Sequence, residues 1–266
     1  MRVFLTGGTG FIGGEVARLL RERGDEVVAL VRTPAKAAAL TALGCELASV
    51  DLSDEDALRT AMKGSDAVIH CAAVYEIGVT PARREALVDA NVRGTERVLG
   101  AALASGIRKT VYVSTVYGPG DTSEIGGLSD RVLAGKLPLL PFPDLGVTPV
   151  HRDDVGAGIL LALDRGTSGS SYVLAGEPIR MGALVAKLAR VAGGKPPRGA
   201  VSTFLLRGLA PFGRVVGPVL GFPSNLREVV SSSDGVTFWA SSDKAQRELG
   251  WSFRPLAEGL ATVTSS

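Results

Sequence analysis

The residues whose types and spacing could do chemistry begin near the N-terminus, where glycines recur at every third position. Gly7, Gly10 and Gly13 follow the apolar residues 3–5 and precede a helical pattern. A strand, tight turn and helix in this order let the backbone approach a pyrophosphate, whose charge lies against unpaired N–H groups at the helix N-terminus. A Cβ would block that approach. The alternative is a glycine-rich turn of any α/β protein, but the context favours a dinucleotide site.

We expect the pyrophosphate to contact the turn and the first helical residues. These residues are Gly7, Thr9, Gly10, Phe11, Ile12 and Gly13.

The end of the second predicted strand, residues 26–31, decides which dinucleotide fits. An acidic residue there would accept hydrogen bonds from the ribose hydroxyls of NAD. This chain has Arg32 instead, with Lys36 shortly after it, and a guanidinium suits a 2′-phosphate. The sequence therefore predicts NADP as the preferred cofactor and NAD as the second choice. The alternative is that Arg32 is only a solvated surface residue.

The third predicted strand, residues 46–50, is followed by a candidate adenine contact. Asp51 could accept a hydrogen bond from the adenine amino group while Leu52 packs on the ring. The alternative is capping of the next helix by Ser53 or Asp54, and the two roles can coexist.

The fourth predicted strand, residues 67–71, is followed by Ala72 and Ala73, which are small enough to let a cofactor pass closely. His70 in that strand is expected to be a packed histidine rather than a catalyst. Asn91 lies among the inward positions of the next helix, where an amide is costly unless it is paired. We expect it to bridge backbone groups near the active site.

Strands alternate with helices at regular intervals through the first half of the chain. A fifth strand is predicted over residues 110–113, and helices over 55–62 and 81–105. This alternation specifies an α/β fold, a doubly wound parallel sheet of the Rossmann type with ligands at the carboxyl ends of its strands. We expect residues 1–175 to form the dinucleotide-binding domain. Residues 176–266 would form a smaller substrate-binding lobe and the closing helices.

The composition of the 266 residues is ordinary for a soluble protein, with 45% apolar and 21% charged residues. A net charge of +2 gives no overall attraction to nucleic acid or membrane. No apolar run reaches the roughly 18 residues of a membrane span, and no signal peptide is evident. Cys45 and Cys71 lack metal-ligand spacing and indicate small buried residues in a reducing compartment. We therefore expect a cytoplasmic protein without a metal site.

Several motifs together resemble one known family. They are TGGTGFIG at 6–13, DLSD at 51–54, HCAAV at 70–74, NVRGT at 91–95, VYVST at 111–115, YGPGD at 117–121, PVHRDDVGAG at 149–158, SYVLAGEP at 171–178 and ASSDKAQRELGW at 240–251. The chain resembles the extended short-chain dehydrogenases/reductases of the NAD-dependent epimerase/dehydratase type. It is most similar in character to dihydroflavonol-reductase-like and hopanoid-associated sugar-epimerase-like proteins. The resemblance implies a nicotinamide cofactor and a small-molecule substrate bearing a secondary alcohol or ketone.

The resemblance also implies a catalytic Ser/Thr after strand five and, some tens of residues later, a Tyr-x-x-x-Lys pair on one helix face. In the family the tyrosine exchanges a proton with the substrate oxygen, and the lysine lowers its pKa. By resemblance Thr115 occupies the Ser/Thr position, with Ser114 before it. A lysine four positions on is missing after every tyrosine of the chain, namely Tyr75, Tyr112, Tyr117 and Tyr172.

The chain passes from VYVST directly into VYGPGD, so we interpret the catalytic helix and strand six as deleted at this junction. Strand five would then face an unpaired edge, unless residues 171–174 move in as a strand. A sheet that is one strand or more short is the preferred expectation. Poor stability and completion by a second chain are the alternatives, and a homodimer stays open.

Two features follow in the C-terminal half. His151, Asp153 and Asp154 could indicate a metal cluster or triad, but capping of a helix by Asp153, with His151 fixing its start, explains them better. Residues 178–227 contain eight basic residues and no acidic one, interleaved with apolar residues. Such a lobe suits an anionic or amphipathic substrate or an anionic membrane surface, and solvated helix faces are an equal alternative.

Three functional hypotheses follow. The chain is an impaired NAD(P)-dependent oxidoreductase or epimerase, a catalytically silent dinucleotide-binding protein that serves as sensor or partner subunit, or a deletion product without function.

Overall fold

The main sheet contains five parallel strands in the order β3-β2-β1-β4-β5. It is seen in a computed structural model, which describes residues 1–74, 79–113, 130–212 and 226–264. The strands are β1 (Arg2–Thr6), β2 (Glu26–Leu30), β3 (Glu46–Ala48), β4 (Ala67–His70) and β5 (Lys109–Tyr112). The parallel sheet predicted from the alternating pattern is thus confirmed, with strand ends within about two residues of those predicted.

β1 lies in the centre of the sheet and pairs with β2 on one side and β4 on the other. The register places Thr6 beside both Leu30 and His70. Phe4 and Leu5 of β1 are completely buried, as expected for a parallel strand covered on both faces. The strand order reverses between β1 and β4, and ligands of open α/β sheets bind at the carboxyl ends beside such a reversal.

Helices cover both faces of this sheet, and further helices belong to the small cores of the C-terminal part. Their bounds are α1 (Phe11–Glu22), α2 (Ala38–Ala42), α3 (Glu55–Met62), α4 (Pro81–Val88), α5 (Gly94–Ala104), α6 (Arg152–Arg165), α7 (Met181–Val191), α8 (Thr203–Leu209), α9 (Leu226–Ser233), α10 (Asp243–Leu249) and α11 (Leu256–Thr264). On one face Leu5 packs with residues of α1, α6 and α10. On the other face Phe4 packs with Leu58 of α3 and Val98 of α5. The two buried layers make the sheet doubly wound, as predicted.

The helix predicted over residues 81–105 is interrupted by a π-helical turn. Asp89–Arg93 forms this turn, and the Gly94 N–H donates to the carbonyl of Asp89, five residues earlier. Such turns insert one extra residue into a helix and often lie at functional sites. The turn contains Asn91, so it determines where that side chain lies relative to the end of β4.

Within the described ranges, β5 pairs with β4 alone. The prediction that residues 171–174 form a strand is wrong. Leu174 packs against α6, where a Cβ added to Gly158 would lie 2.6 Å from its Cδ1 atom. The hydroxyl of Tyr172 accepts a hydrogen bond from the Thr167 N–H at 3.1 Å. Tyr172 and Leu174 of this segment therefore pack on the helical layer and do not pair in a sheet.

The remaining strands are short and belong to two small sheets. They are β6 (Leu139–Leu140), β7 (Gly146–Val147), β8 (Ile179–Arg180) and β9 (Gly199–Ala200). β6 pairs with β9 in parallel, and β7 pairs with β8 in antiparallel fashion. Leu184 and Leu188 of α7 share a core with Leu260 of α11, and Leu206 and Leu226 form a second small core. Among the described helices, none is long and apolar enough to cross a bilayer.

Candidate functional site

The glycine turn between β1 and α1 is packed against the end of β4. Gly7 has a φ of +74°, and a Cβ on it would lie 2.7 Å from the amide nitrogen of Ala72. The Gly10 N–H donates to the Gly7 carbonyl at 2.9 Å and closes the turn. A Cβ on Gly13 would lie 2.1 Å from that carbonyl oxygen. Glycine is therefore required at positions 7 and 13 by backbone contacts that exist without any ligand.

The N-terminus of α1 begins directly after this turn. Its N-cap is Gly10, which has no side chain with which to cap the helix. Thr9 is exposed, and Phe11 and Ile12 are half-buried. Because the first N–H groups of a helix lack intrahelical acceptors, they attract an anion. A backbone cradle that tolerates no Cβ and ends in such N–H groups fits a pyrophosphate.

The residues predicted to hold the adenosine end lie at the ends of β2 and β3. Asp51 is exposed, and its Oδ1 accepts bonds from the N–H and hydroxyl of Ser53 at 2.8 and 2.7 Å. These bonds hold the pKa of Asp51 below its usual value, and the charge of Arg32 acts in the same direction. Arg32 and Asp51 are therefore neighbours. Lys36 is exposed in the 3-10 turn that follows β2.

Of the two helix-capping alternatives after β3, Asp54 is the one observed. Its carboxylate accepts from the Ala57 N–H at 3.0 Å at the start of α3. Leu52 is half-buried and packs on the core beneath α3 and α5. Asp51 is thus not needed as the cap and stays exposed beside Arg32.

His70 is completely buried at the end of β4, as predicted for a packed strand histidine. Its Nδ1 lies 2.5 Å from Thr6 Oγ1, and its Nε2 lies 3.1 Å from Thr95 Oγ1. The Tyr112 ring lies beside it, with ring centres 5.6 Å apart. Burial lowers the pKa of His70 from 6.5 to about 4. The imidazole is therefore neutral at physiological pH.

Asn91 forms a two-bond bridge to the chain beyond β4. Its Oδ1 accepts from the Val74 N–H at 2.7 Å, and its Nδ2 donates to the Val74 carbonyl at 2.8 Å. The prediction that this amide bridges backbone groups is confirmed. The bridge fixes the segment that contains Ala72, which is half-buried, and Ala73, which is exposed.

Ser114 and Thr115, the catalytic residues expected from the resemblance, lie outside the described residues, as do Tyr75 and Tyr117. Of the other tyrosines, Tyr112 is half-exposed beside His70.

The His151 cluster has a different arrangement from the one predicted. His151 is the N-cap of α6, and its Nδ1 accepts from the Asp153 N–H at 3.3 Å. The prediction that Asp153 is the cap is wrong, because its own N–H is the donor that needs capping. Asp154 binds the Arg254 side chain at 2.8 Å and ties α6 to the C-terminal segment. Within the described ranges, no group of His, Cys, Asp or Glu side chains is placed to hold a metal.

Glu15 is a buried carboxylate close to the glycine turn that the sequence does not single out. It is buried in α1, is paired with Arg18 at 2.5 Å, and has Arg152 of α6 at 3.8 Å. The guanidinium of Arg152 also lies 5.2 Å from the ring centre of Phe11. These contacts fix the first turn of α1. Only the three-residue spacing to Arg18 could have indicated a partner, since Arg152 is far away in the sequence.

The steric requirement at Gly13 gives a first prediction. Gly13→Ala should weaken NADPH binding at least tenfold, because its Cβ would displace the Gly7 carbonyl and open the turn (roughly 1.4 kcal/mol for each factor of ten). Gly14→Ala is the matched control, since its Cβ would meet only Gly8 O at 3.5 Å, an ordinary contact. Fluorescence titration with NADPH measures both. Equal affinities of the two variants would contradict the steric argument.

His70 also predicts a pH dependence of stability. Its pKa is about 4 in the fold against 6.5 ordinarily, so the unfolded chain binds more protons between these values. The free energy of unfolding should therefore fall as the pH drops through this window, by about 2 kcal/mol between pH 7 and pH 5 from this group. Urea unfolding of the wild type and His70→Asn measures it. The variant should lose this part of the dependence, and an unchanged dependence would refute the assignment.

Comparison with known proteins agrees with the family resemblance of the sequence motifs. Residues 3–141 match the model of the NAD dependent epimerase/dehydratase family. A putative dihydroflavonol 4-reductase of Synechocystis is 28% identical, covering 97% of this chain and 92% of the relative. The 4-hydroxy-2-methyl-3-oxo-4-farnesyl-3,4-dihydroquinoline-1-oxide ketoreductase of Stigmatella aurantiaca is 27% identical, covering 96% and 92%.

Among solved structures, the crystal structure of gox2253 superimposes with a TM-score of 0.82 at 30% identity, covering 99% of this chain and 96% of that one. The family match spans more than half of the chain and includes the glycine turn, β1 to β5 and the Asn91 bridge. The chain therefore belongs to the NAD-dependent epimerase/dehydratase family of extended short-chain dehydrogenases/reductases.

Proposed function

We propose that this chain binds NAD(P) and belongs functionally with the oxidoreductases and epimerases that act on a secondary alcohol, ketone or sugar-like substrate. The observation that carries this proposal is the glycine turn. A Cβ added to Gly7 in this turn would lie 2.7 Å from the Ala72 nitrogen, so only glycine fits there. The turn leads into α1, whose N-cap, Gly10, has no side chain. A turn of this kind at the reversal between β1 and β4 fits a dinucleotide.

Each part of the dinucleotide has candidate residues. The pyrophosphate would lie on the turn, against Gly7, Thr9, Gly10, Phe11, Ile12 and Gly13. The adenine would lie near Asp51 and Leu52. Ala72 and Ala73 would lie beside the nicotinamide half of the cofactor. Residues 1–175 would supply this site, and residues 176–266 would supply the substrate-binding lobe and closing helices.

Arg32 favours NADP over NAD. It is exposed at the end of β2, with Lys36 following in the same loop. The neighbouring Asp51 carboxylate is occupied through Oδ1 by Ser53. Arginine binds phosphate in a bidentate manner, and an acidic residue, which would suit the ribose hydroxyls of NAD, is absent from position 32.

The bound nicotinamide would supply a hydride acceptor or donor. Thr115, with Ser114 before it, would polarise the substrate oxygen. Because no tyrosine of the chain has a lysine four positions on, another group or water must exchange the proton. Loss of a general acid or base typically lowers rates by about 10²–10⁴-fold. We therefore expect slow turnover.

The length of the alignments supports an internal deletion. The match to the Synechocystis protein extends over 321 positions, whereas this chain has 266 residues. At least 55 positions of the relative therefore face a gap in this chain. Gapped positions in this number are enough for a helix and a strand, which we interpret as missing at the junction after VYVST.

An amphipathic substrate fits the C-terminal lobe best. Phe204 is 87% exposed and Phe212 62%, on a stretch of chain that contains basic but no acidic residues. Exposed aromatic side chains beside a cofactor domain are typical of a surface that meets an apolar ligand. The name of the Stigmatella ketoreductase contains a farnesylated compound, which is consistent with an amphipathic ligand.

A second candidate is a dinucleotide-binding protein without catalysis, serving as a sensor or partner subunit. The missing Tyr-x-x-x-Lys pair favours it. The two candidates share the cofactor site and differ only in chemistry.

Titration with NADPH and NADH, followed by assays on a panel of ketones, separates these candidates. We expect saturable binding and slow, NADPH-dependent reduction above the rate of Thr115→Ala. Binding with no turnover above that variant would establish the silent protein. Absence of binding to either dinucleotide would refute both.

Cofactor choice has its own test. Arg32→Asp should lower NADPH affinity about tenfold or more, because only NADPH carries the phosphate that the new carboxylate repels. NADH affinity should not fall, because the new carboxylate can accept hydrogen bonds from the ribose hydroxyls of NADH. Arg108→Asp, an equal charge reversal at an exposed residue just before β5, should leave both affinities unchanged. Isothermal titration measures them, and an unchanged NADPH affinity in Arg32→Asp would contradict the NADP preference.

A further inference from the structure

A continuous series of hydrogen bonds connects the glycine turn to α5 through His70. The Ala72 N–H donates to Thr6 Oγ1 at 3.3 Å, and Thr6 Oγ1 lies 2.5 Å from His70 Nδ1. On the other side of the ring, His70 Nε2 lies 3.1 Å from Thr95 Oγ1. Thr95 Oγ1 donates to the Asn91 carbonyl at 2.6 Å. The series therefore begins beside the turn and ends in the π-helical turn.

The direction of every proton in this series follows from the two hydroxyl groups. Each hydroxyl has a single proton. Thr95 gives its proton to the Asn91 carbonyl, so its oxygen accepts from His70, and Nε2 must carry a hydrogen. A neutral ring then has a bare Nδ1, which accepts the proton of Thr6. The Thr6 oxygen remains free to accept the Ala72 N–H. All the groups are satisfied with one tautomer of a neutral ring.

The same residues frame the segment that a dinucleotide must pass. Ala72 is held by Thr6 and lies against Gly7, where no Cβ fits. Val74 is held through both backbone groups by the side chain of Asn91. The carbonyl of Asn91 is the last acceptor of the series. Residues 72–74 are thus fastened at both ends to one connected set of bonds.

We propose that His70 is a positioning residue of the dinucleotide site, acting as an Nε2-protonated link that locks the glycine turn and residues 72–74 to α5. In this role it would act through its bonds to Thr6 and Thr95, without a contact of its own to substrate or cofactor. Its effect on cofactor affinity rests on the proposed function, whereas its tautomer and bonds do not.

An imidazole suits this place because it offers a donor and an acceptor on opposite sides of one rigid ring. Asparagine would present its amide near one of the two hydroxyls only, and an apolar residue would leave both without a partner. Thr6 is completely buried, so an unmade bond there is costly. The ring is flanked by Thr6, Thr95 and Tyr112, and desolvation accounts for its preference for the neutral form.

NADPH titration of Thr95 variants tests the proposal. Thr95→Val removes the acceptor of the Nε2 hydrogen and should raise the NADPH dissociation constant about tenfold, and Thr95→Ser should restore it to within about twofold. Thr60→Val is the matched control, because the Thr60 hydroxyl donates to the carbonyl four residues earlier, at 2.9 Å, as Thr95 does but without a histidine partner. Equal dissociation constants for Thr95→Val and Thr60→Val would overturn the proposal.

Nitrogen NMR of ring-labelled histidine supplies a readout that a structural role alone would not move. The chain has two histidines, so a His70→Asn sample assigns the signals. We expect the wild type to show a neutral, Nε2-protonated His70, and Thr95→Val to shift it towards the Nδ1-protonated form. An Nδ1-protonated or charged ring in the wild type near neutral pH would refute the link. If the wild type bound no NADPH, the proposed function would fail, while the tautomer would still decide the link.

Discussion

The backbone contact between the glycine turn and the end of β4 is the constraint on which the rest of the site depends. A side chain on Gly7 would lie within 2.8 Å of three backbone atoms of Cys71 and Ala72, and one on Gly13 would meet the Gly7 carbonyl. Because these segments touch through bare backbone, β1, α1 and β4 converge at one point. That point is the reversal in strand order, where an open α/β sheet leaves room for a ligand.

The C-terminal part of the chain supports the point at which β1, α1 and β4 meet. Arg152 of α6 approaches Glu15 and covers Phe11, so the first turn of α1 is held by a helix more than a hundred residues later. Asp154, two residues further along α6, binds Arg254, and Trp251 donates to the Asp154 carbonyl at 2.7 Å. A buried carboxylate such as Glu15 is tolerated only where such partners exist. Truncation beyond α6 would therefore disturb the glycine turn proposed for the dinucleotide without removing any residue of that turn.

Much of the fold follows from local sequence pattern, and much of the site does not. The helix at residues 55–62 and the strands are predictable because apolar periodicity and breakers are local signals. Residues 171–174 have the pattern of a strand, yet Tyr172 and Leu174 are half-buried and pack on the helical layer that includes α6, and periodicity cannot distinguish these outcomes. The hydrogen-bond partners of His70 could not be predicted from the sequence, because they also depend on distant parts of the chain. Thr6 is 64 residues away, and only the register of β1 with β4 brings the two together.

The order of these parts along the chain separates binding from chemistry. The residues proposed for the dinucleotide lie between positions 7 and 73, and the hydrogen bonds around His70 extend only to Thr95, before the junction after Ser114 and Thr115. The strands that pair on both sides of β1 also precede the junction. A loss of residues at the junction would remove the proton donor of the family and leave the glycine turn and residues 72–73 in place. Binding without efficient turnover would then follow from the position of such a loss in the chain.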